Sequence, residues 1–149
     1  MSEYKLSKRI IGQSISDSWD RAKSEWKLDR VYENPGESCL CGHNPITEVC
    51  VLLNILNNNR AEVGNCCVQK FMGISSQKVF SSIKRIKANE ENSANADLID
   101  MAKEKKWISE KEYVFYIDVW RKRITTLSLR QKNWKIILNR KIIKGYSIL

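Results

Sequence analysis

Long hydrophobic runs are missing from this sequence. The longest unbroken apolar stretch is Val49-Cys50-Val51-Leu52-Leu53, five residues, whereas a membrane-spanning helix needs about 20. The opening segment MSEYKLSKR is polar and lacks the apolar centre of a secretory signal. The expectation is a cytoplasmic protein with no membrane contact. Histidine is nearly absent, His43 being the only one. Finger-like ββα nucleases need a histidine general base beside a metal-binding histidine or acid, and one imidazole cannot fill both roles. There is no GxxxxGK[ST] phosphate loop and no HExxH pair. Cys50 or Cys66 as a nucleophile would have no free histidine partner. Internal repeats and low-complexity tracts are also lacking. Together these absences predict a non-enzymatic protein with no small-molecule substrate.

What is present suits a soluble globular protein: 149 residues, 42% apolar and 29% charged. The formal net charge is +9, and it is unevenly placed. Residues 1–102 carry 13 basic and 13 acidic side chains, whereas residues 103–149 carry 13 basic and 4 acidic. A neutral body with a basic last third suits contact with a polyanion, nucleic acid being the commonest case. The alternative is a lysine-rich helical surface kept soluble by repulsion. In the first case Arg121, Lys122, Arg123, Arg130, Lys132, Lys135, Arg140, Lys141 and Lys144 would contact phosphates. Trp107, Trp120 and Trp134 could stack on bases, although their helical spacing suits core positions better.

The local patterns predict a mixture of helices and strands. Ile15, Trp19, Ala22 and Trp26 share a helical face, so a helix is expected over 17–26, capped by Ser16 or Asp17, with both tryptophans as core anchors. A short extended piece over 28–32 should precede the Asn34-Pro35-Gly36 turn. Residues 47–56 are β-branched and apolar and read as a strand, Asn57-Asn58-Asn59 as a tight turn and 60–63 as the returning strand. A short helix over 67–72 ends at Gly73. Another follows Ser75-Ser76, with Val79, Phe80, Ile83 and Ile86 on one face. Residues 89–95 are polar and small and form the expected linker. Three helical segments come after it, over 96–106, from the capping box Ser109-x-x-Glu112 and from Ser128-x-x-Gln131. The second should bury Tyr113, Tyr116, Ile117 and Trp120, and the third Trp134, Ile137 and Leu138, with Gly145 as its stop.

The strongest chemical signal is Cys39-x-Cys41-x-His43, followed after the hairpin by Cys67. Five cysteines in a reducing compartment are metal ligands or core residues before they are disulfide partners. Zinc favours a tetrahedron of four soft or borderline ligands. Fully extended, residues 39 and 43 would lie roughly 13 Å apart, so the segment has to curl, and Gly42 supplies the freedom. Cys67 at a helix start gains from the helix dipole, which favours thiolate. Adjacent cysteines rarely share one ion, so Cys66 stands as the alternative to Cys67. Cys50 belongs to the strand and reads as a packing residue. Four protein ligands leave no position for water, so the Zn2+ is expected to be structural.

The string CLCGHNPITEVCVLLNILNNNRAEVGNCCVQKF resembles a pattern found in small, mostly uncharacterised zinc-binding proteins of bacteriophages and mobile elements. The matching positions are Cys39, Cys41, Gly42, His43, Asn54, Val63, Gly64, Cys67, Lys70 and Phe71, and the upstream Ala22-x-x-Glu25-Trp26 is also similar. Glu112-Tyr113 and Leu127-Ser128 resemble helical tails in some of those proteins. The resemblance implies a treble-clef-like zinc finger, and its Gly-to-Cys offset favours Cys67 as the fourth ligand. The expected protein is therefore α+β: a zinc-bound hairpin-and-helix unit over 1–88, a linker over 89–95 and a basic three-helix region over 96–149. Its expected activity is nucleic-acid binding through the basic C-terminal region. The alternative is a protein-interaction module such as a phage-encoded inhibitor or adaptor acting on a host complex.

Overall fold

The apolar run around residue 50 becomes the central strand of a three-stranded antiparallel sheet. In this computed structural model, which describes residues 2–147, β1 (Trp26–Glu37) and β3 (Arg60–Gly64) flank β2 (Ile46–Asn54). Val49, Cys50, Val51 and Leu52 are buried in succession. Both faces of β2 are covered, which is why the run does not alternate with polar residues. The hairpin read from the sequence is thus joined by a third strand, twice as long as expected on its N-terminal side. Asn34-Pro35-Gly36 does not end β1. It makes an irregularity between Glu33 and Glu37, with Gly36 at φ 87°. The β2–β3 turn closes through Asn58 at φ 62° and through Asn54 Oδ1, which accepts from the backbone N–H of Leu56 (2.8 Å) and Asn57 (3.2 Å).

Two helices precede the sheet. The first, α1 (Glu3–Gly12), capped by Ser2 and burying Leu6 and Ile10, was not anticipated. The second, α2 (Trp19–Ser24), is shorter than the 17–26 reading and is capped by Ser18 instead of Ser16 or Asp17. Trp26 leaves the helix to begin β1, buried, with its indole donating to Ser14 Oγ at 2.8 Å. Trp19 is only half-buried. After β3, α3 (Asn65–Met72) stops at Gly73, φ 67°.

These elements form one compact unit, ending at Gln77, and a second begins at Lys78. The second contains α4 (Gln77–Ala88, whose first residue belongs to the first unit), α5 (Ala96–Glu104), α6 (Glu110–Val119), a 3-10 turn (Ile124–Thr126) and α7 (Leu129–Ser147). Residues 89–95, expected as a linker, lie inside this unit. The backbone N–H of Ala94 donates to Tyr116 Oη (2.8 Å), Asn139 Nδ2 donates to the carbonyls of Glu90 and Asn92, and Asn95 caps α5. Val79, Phe80, Ile83 and Ile86 are buried as read. Both capping boxes form. In α6 the deeply buried residues are Tyr116 and Val119. In α7 the period is right but the phase is displaced: Lys135, Leu138, Asn139, Ile142 and Tyr146 are buried, Trp134 is half-buried and Ile137 is exposed. Lys135 takes a core position because its long stem packs while Nζ reaches Ser93 Oγ at 3.1 Å. Gly145 does not stop the helix. It lies within α7, where an added Cβ would come 2.3 Å from the Trp107 ring.

The end of the sheet where β1 begins is held by a buried carboxylate. Glu25 accepts from the backbone N–H of Ile15 and Ser16, each at 2.8 Å, and from Asn54 Nδ2 at 2.9 Å. The Asn54 bond, helped by the two backbone donors, outweighs desolvation and lowers the carboxyl pKa from 4.5.

Two outcomes are expected. Because the folded pKa of Glu25 is depressed, its contribution is full above the unfolded value of 4.5 and is lost as pH falls through the lower folded value. Glu25→Gln should therefore melt below the parent at pH 7, and the gap should close below pH 4.5, as followed by circular dichroism. Gly145→Ala should destabilise. The helix-propensity gain is about 1 kcal/mol, but overpacking against the Trp107 ring costs about 1–3 kcal/mol, so thermal melting should shift down.

Candidate metal centre

The β1–β2 connection curls as the spacing of its ligand residues requires. Gly42 sits at φ 93°, its N–H donates to the carbonyl of Cys39 (2.8 Å), and the N–H of Cys39 donates to the carbonyl of His43 (2.9 Å). Leu40 N–H ties the curl to the Glu62 carbonyl of β3 at 3.1 Å. Cys67 enters from the first turn of α3, which follows β3 without a break. As a result the sulfurs of Cys39, Cys41 and Cys67, all buried, lie within 4.8 Å of one another. Among the described residues this is the one group of three or more Cys, His, Asp or Glu that could hold a metal ion.

The sulfurs are set up as acceptors. Backbone N–H groups donate to them from Cys41 and Gly64 onto Cys39 Sγ (3.5 and 3.2 Å) and from His43 onto Cys41 Sγ (3.4 Å). Burial raises the Cys39 thiol, although the Gly64 and Cys41 donors work against it. Burial, then the charge of Cys39, raises Cys67 despite its place at a helix start. Cys41 is also penalised by burial, but donors from His43 and Ser2 and from the neighbouring thiols bring it down to about 7. Without a cation, Cys41 is thus the thiol that ionises most readily of the three. A metal ion would take all three as thiolates and release protons. The first helix also contacts the curl: Arg9 Nη1 donates to the Leu40 carbonyl, and the Lys5 and Arg9 side chains pack near Gly42.

Of the four expected ligands the structure gathers three. His43 is exposed and its imidazole is not part of the sulfur cluster. It does line the cavity of about 320 Å³ that opens onto the three cysteines, together with Ile46, Thr47 and Glu48. Cys66 is exposed while its neighbour Cys67 is buried in the cluster, so the choice between them falls to Cys67. Cys50 is buried in β2, where burial pushes its thiol up to about 12. The N-terminal helix was missed, and with it the contacts of Lys5 and Arg9 to the curl, since both look like ordinary surface charges in the sequence.

The nominated basic residues divide into three groups. Arg121, Lys122, Arg123, Arg130 and Lys144 are exposed, and Lys132 is half-buried. Arg140 is held in a two-bond pair with Glu90 (2.8 Å each), Lys141 pairs with Glu112 and Lys122 with Asp118. Lys135 is buried and cannot reach a phosphate as expected. Divided at the boundary between units, residues 1–77 carry nine basic and nine acidic side chains, and residues 78–149 carry 17 and 8. The whole net charge of +9 thus belongs to the second unit. No helix among the described residues is long and apolar enough to cross a membrane. No protein family, curated protein or solved structure matches this chain.

Metal analysis of single variants checks the cluster. Cys39→Ser, Cys41→Ser and Cys67→Ser are each expected to lose the bound ion and about 4 kcal/mol or more of stability. Cys66→Ser should keep full stoichiometry. A Cys66→Ser protein that loses its ion would reassign the ligand.

Proposed function

We propose that this chain is a zinc-stabilised, non-enzymatic binding protein of the cytoplasm that presents its positively charged second unit to nucleic acid. The observation that carries the reading is the division between units. A neutral unit contains the buried three-sulfur cluster, and a separate unit holds all of the net charge. Thiolate-rich sites select zinc, copper(I) or iron–sulfur clusters over hard cations, and zinc is the structural choice among them. His43 is the fourth ligand in this reading. Its place on the cavity rim and its backbone bonds to Cys39 and Cys41 support that role. The order of ligand-bearing curl, paired strands and ligand-bearing helix supports a treble-clef-like finger, and with it the resemblance to zinc-binding proteins of phages and mobile elements. The ion's role is to cross-link the β1–β2 curl to α3, and no catalytic step is assigned to it.

On the second unit Arg121, Arg123, Arg130, Lys132 and Lys144 would meet phosphates directly. Arg140, Lys141 and Lys122 would do so after exchanging a carboxylate for a phosphate. Surface ion pairs are worth about 0–1 kcal/mol, so that exchange costs little.

A gel shift with duplex DNA at two salt concentrations tests the reading. Binding should weaken steeply with salt, with a log–log slope of about −0.9 per phosphate contacted. The double variant Arg121→Glu/Arg123→Glu should bind at least about tenfold more weakly at low salt. Binding indifferent to ionic strength would refute it.

A further inference from the structure

Helices α6 and α7 leave a groove in the second unit that neither the metal nor phosphate contact accounts for. Its volume is about 1140 Å³, and the apolar Phe115, Trp134, Leu129 and Ile137 line it along with Lys111, Arg130 and three uncharged polar side chains. Leu129 is 74% exposed and Ile137 48%, large values for aliphatic side chains on one helix. Leu129 and Ile137 stand eight residues apart on α7, about 12 Å along its axis, with Trp134 between them. Isolated exposed leucines need no explanation, but several large apolar side chains lining one concavity mark a contact site.

The lining argues for one kind of occupant. Phe115 and Trp134 stack on each other, with centroids 4.1 Å apart and planes at 28°. Each ring therefore has one face already taken, which suits a packed floor better than a base-stacking platform. The aliphatic row offers a nucleic acid nothing, but it matches the apolar stripe of two to three helical turns. Every charged residue lining the groove, Lys111 and Arg130, is basic. A second copy of this chain would bring +9 against +9, so charge complementarity points away from self-association.

We propose that the α6–α7 groove docks an amphipathic helix of a partner protein, with acidic residues flanking its apolar stripe. This goes beyond the nucleic-acid reading and stands independently of it. Only Arg130 is common to the two surfaces, and the test leaves Arg130 unchanged.

The test uses the full chain and a labelled synthetic 18-residue helical peptide, with leucines at helical spacing and glutamates elsewhere. A control peptide has lysine at every glutamate. Fluorescence anisotropy should show binding of the glutamate peptide and none of the lysine peptide. Leu129→Ser and Ile137→Ser alter exposed positions, so they should melt like the parent yet bind the glutamate peptide at least tenfold more weakly. Both should shift DNA as the parent does, and Arg121→Glu/Arg123→Glu should keep peptide binding within threefold. That pattern separates failure of this proposal from failure of the nucleic-acid reading. Four results would overturn the proposal: no binding of the glutamate peptide; equal binding of both peptides or by the groove variants; displacement of the peptide by oligo-dT with the same dependence on Leu129 and Ile137; or a parent dimer that Leu129→Ser makes monomeric.

Discussion

Three sulfur atoms, brought within 4.8 Å by a curled loop and a helix start, set the constraint on which the first unit depends. The curl around them is tied by hydrogen bonds but has little apolar cover. Gly42, His43, Asn44 and Pro45 are all exposed, so little hydrophobic burial holds this loop in place. As thiols, the cysteines would offer only dispersion contacts. Burial and mutual repulsion keep Cys39 and Cys67 from ionising together with Cys41. A metal ion held by the three sulfurs would resolve the conflict, since it would favour the thiolates that burial disfavours and join two chain segments about 25 residues apart in one step. The backbone donors aimed at Cys39 and Cys41 fit that charge state.

The opposite end of the sheet is tied by different chemistry to the same effect. Trp26 pairs with Asn54 in the β1–β2 register, and Glu25 and Asn54 meet side by side beneath the 13–16 loop. A buried carboxylate is costly unless it is fully bonded, and Glu25 has two backbone donors and an amide. Asn54 then uses its own oxygen to order the β2–β3 turn. Asn57 and Asn59 donate to the Gln13 carbonyl, each at 2.9 Å, and extend the tie to the end of α1. One polar network thus replaces the apolar contacts that the 55–59 turn lacks, since Ile55 and Leu56 there are exposed.

Much of this was legible because it is local. The strands over 46–54 and 60–64, the stop at Gly73, the two capping boxes and the face of α4 follow from β-branching, turn chemistry and helical period. The Cys39–Cys41 pair was legible from spacing, whereas the spacing left Cys66 beside Cys67, and burial separates them. What failed depended on contacts between distant residues. Gly145 reads as a helix stop until Trp107 is placed against it. Lys135 reads as surface until Ser93 takes its ammonium. Residues 89–95 read as a linker because their composition is polar, yet their backbone groups satisfy Tyr116 and Asn139. Glu25 and Asn54 both belong to the phage-protein resemblance, but nothing in their separation of 29 residues reveals a shared hydrogen bond. His43 is the instructive case, because a C-x-C-x-H string fixes where the backbone goes and leaves the imidazole free to turn.

The second unit shows why net charge and available charge differ. All of its excess acts in the far field, where +9 would attract the proposed polyanion. At contact distance the residues are not equivalent. Lys135 is buried, its charge disfavoured by desolvation, and it cannot be recruited without opening the core. The Arg140–Glu90 and Lys141–Glu112 pairs lie at the surface and can rearrange, because an exposed pair is worth little against a phosphate and the counterions it releases. For the proposed polyanion, association and retention would therefore rest on different sets of residues: the whole unit would govern how fast it arrives, and Arg121, Arg123, Arg130, Lys132 and Lys144 would govern how long it stays.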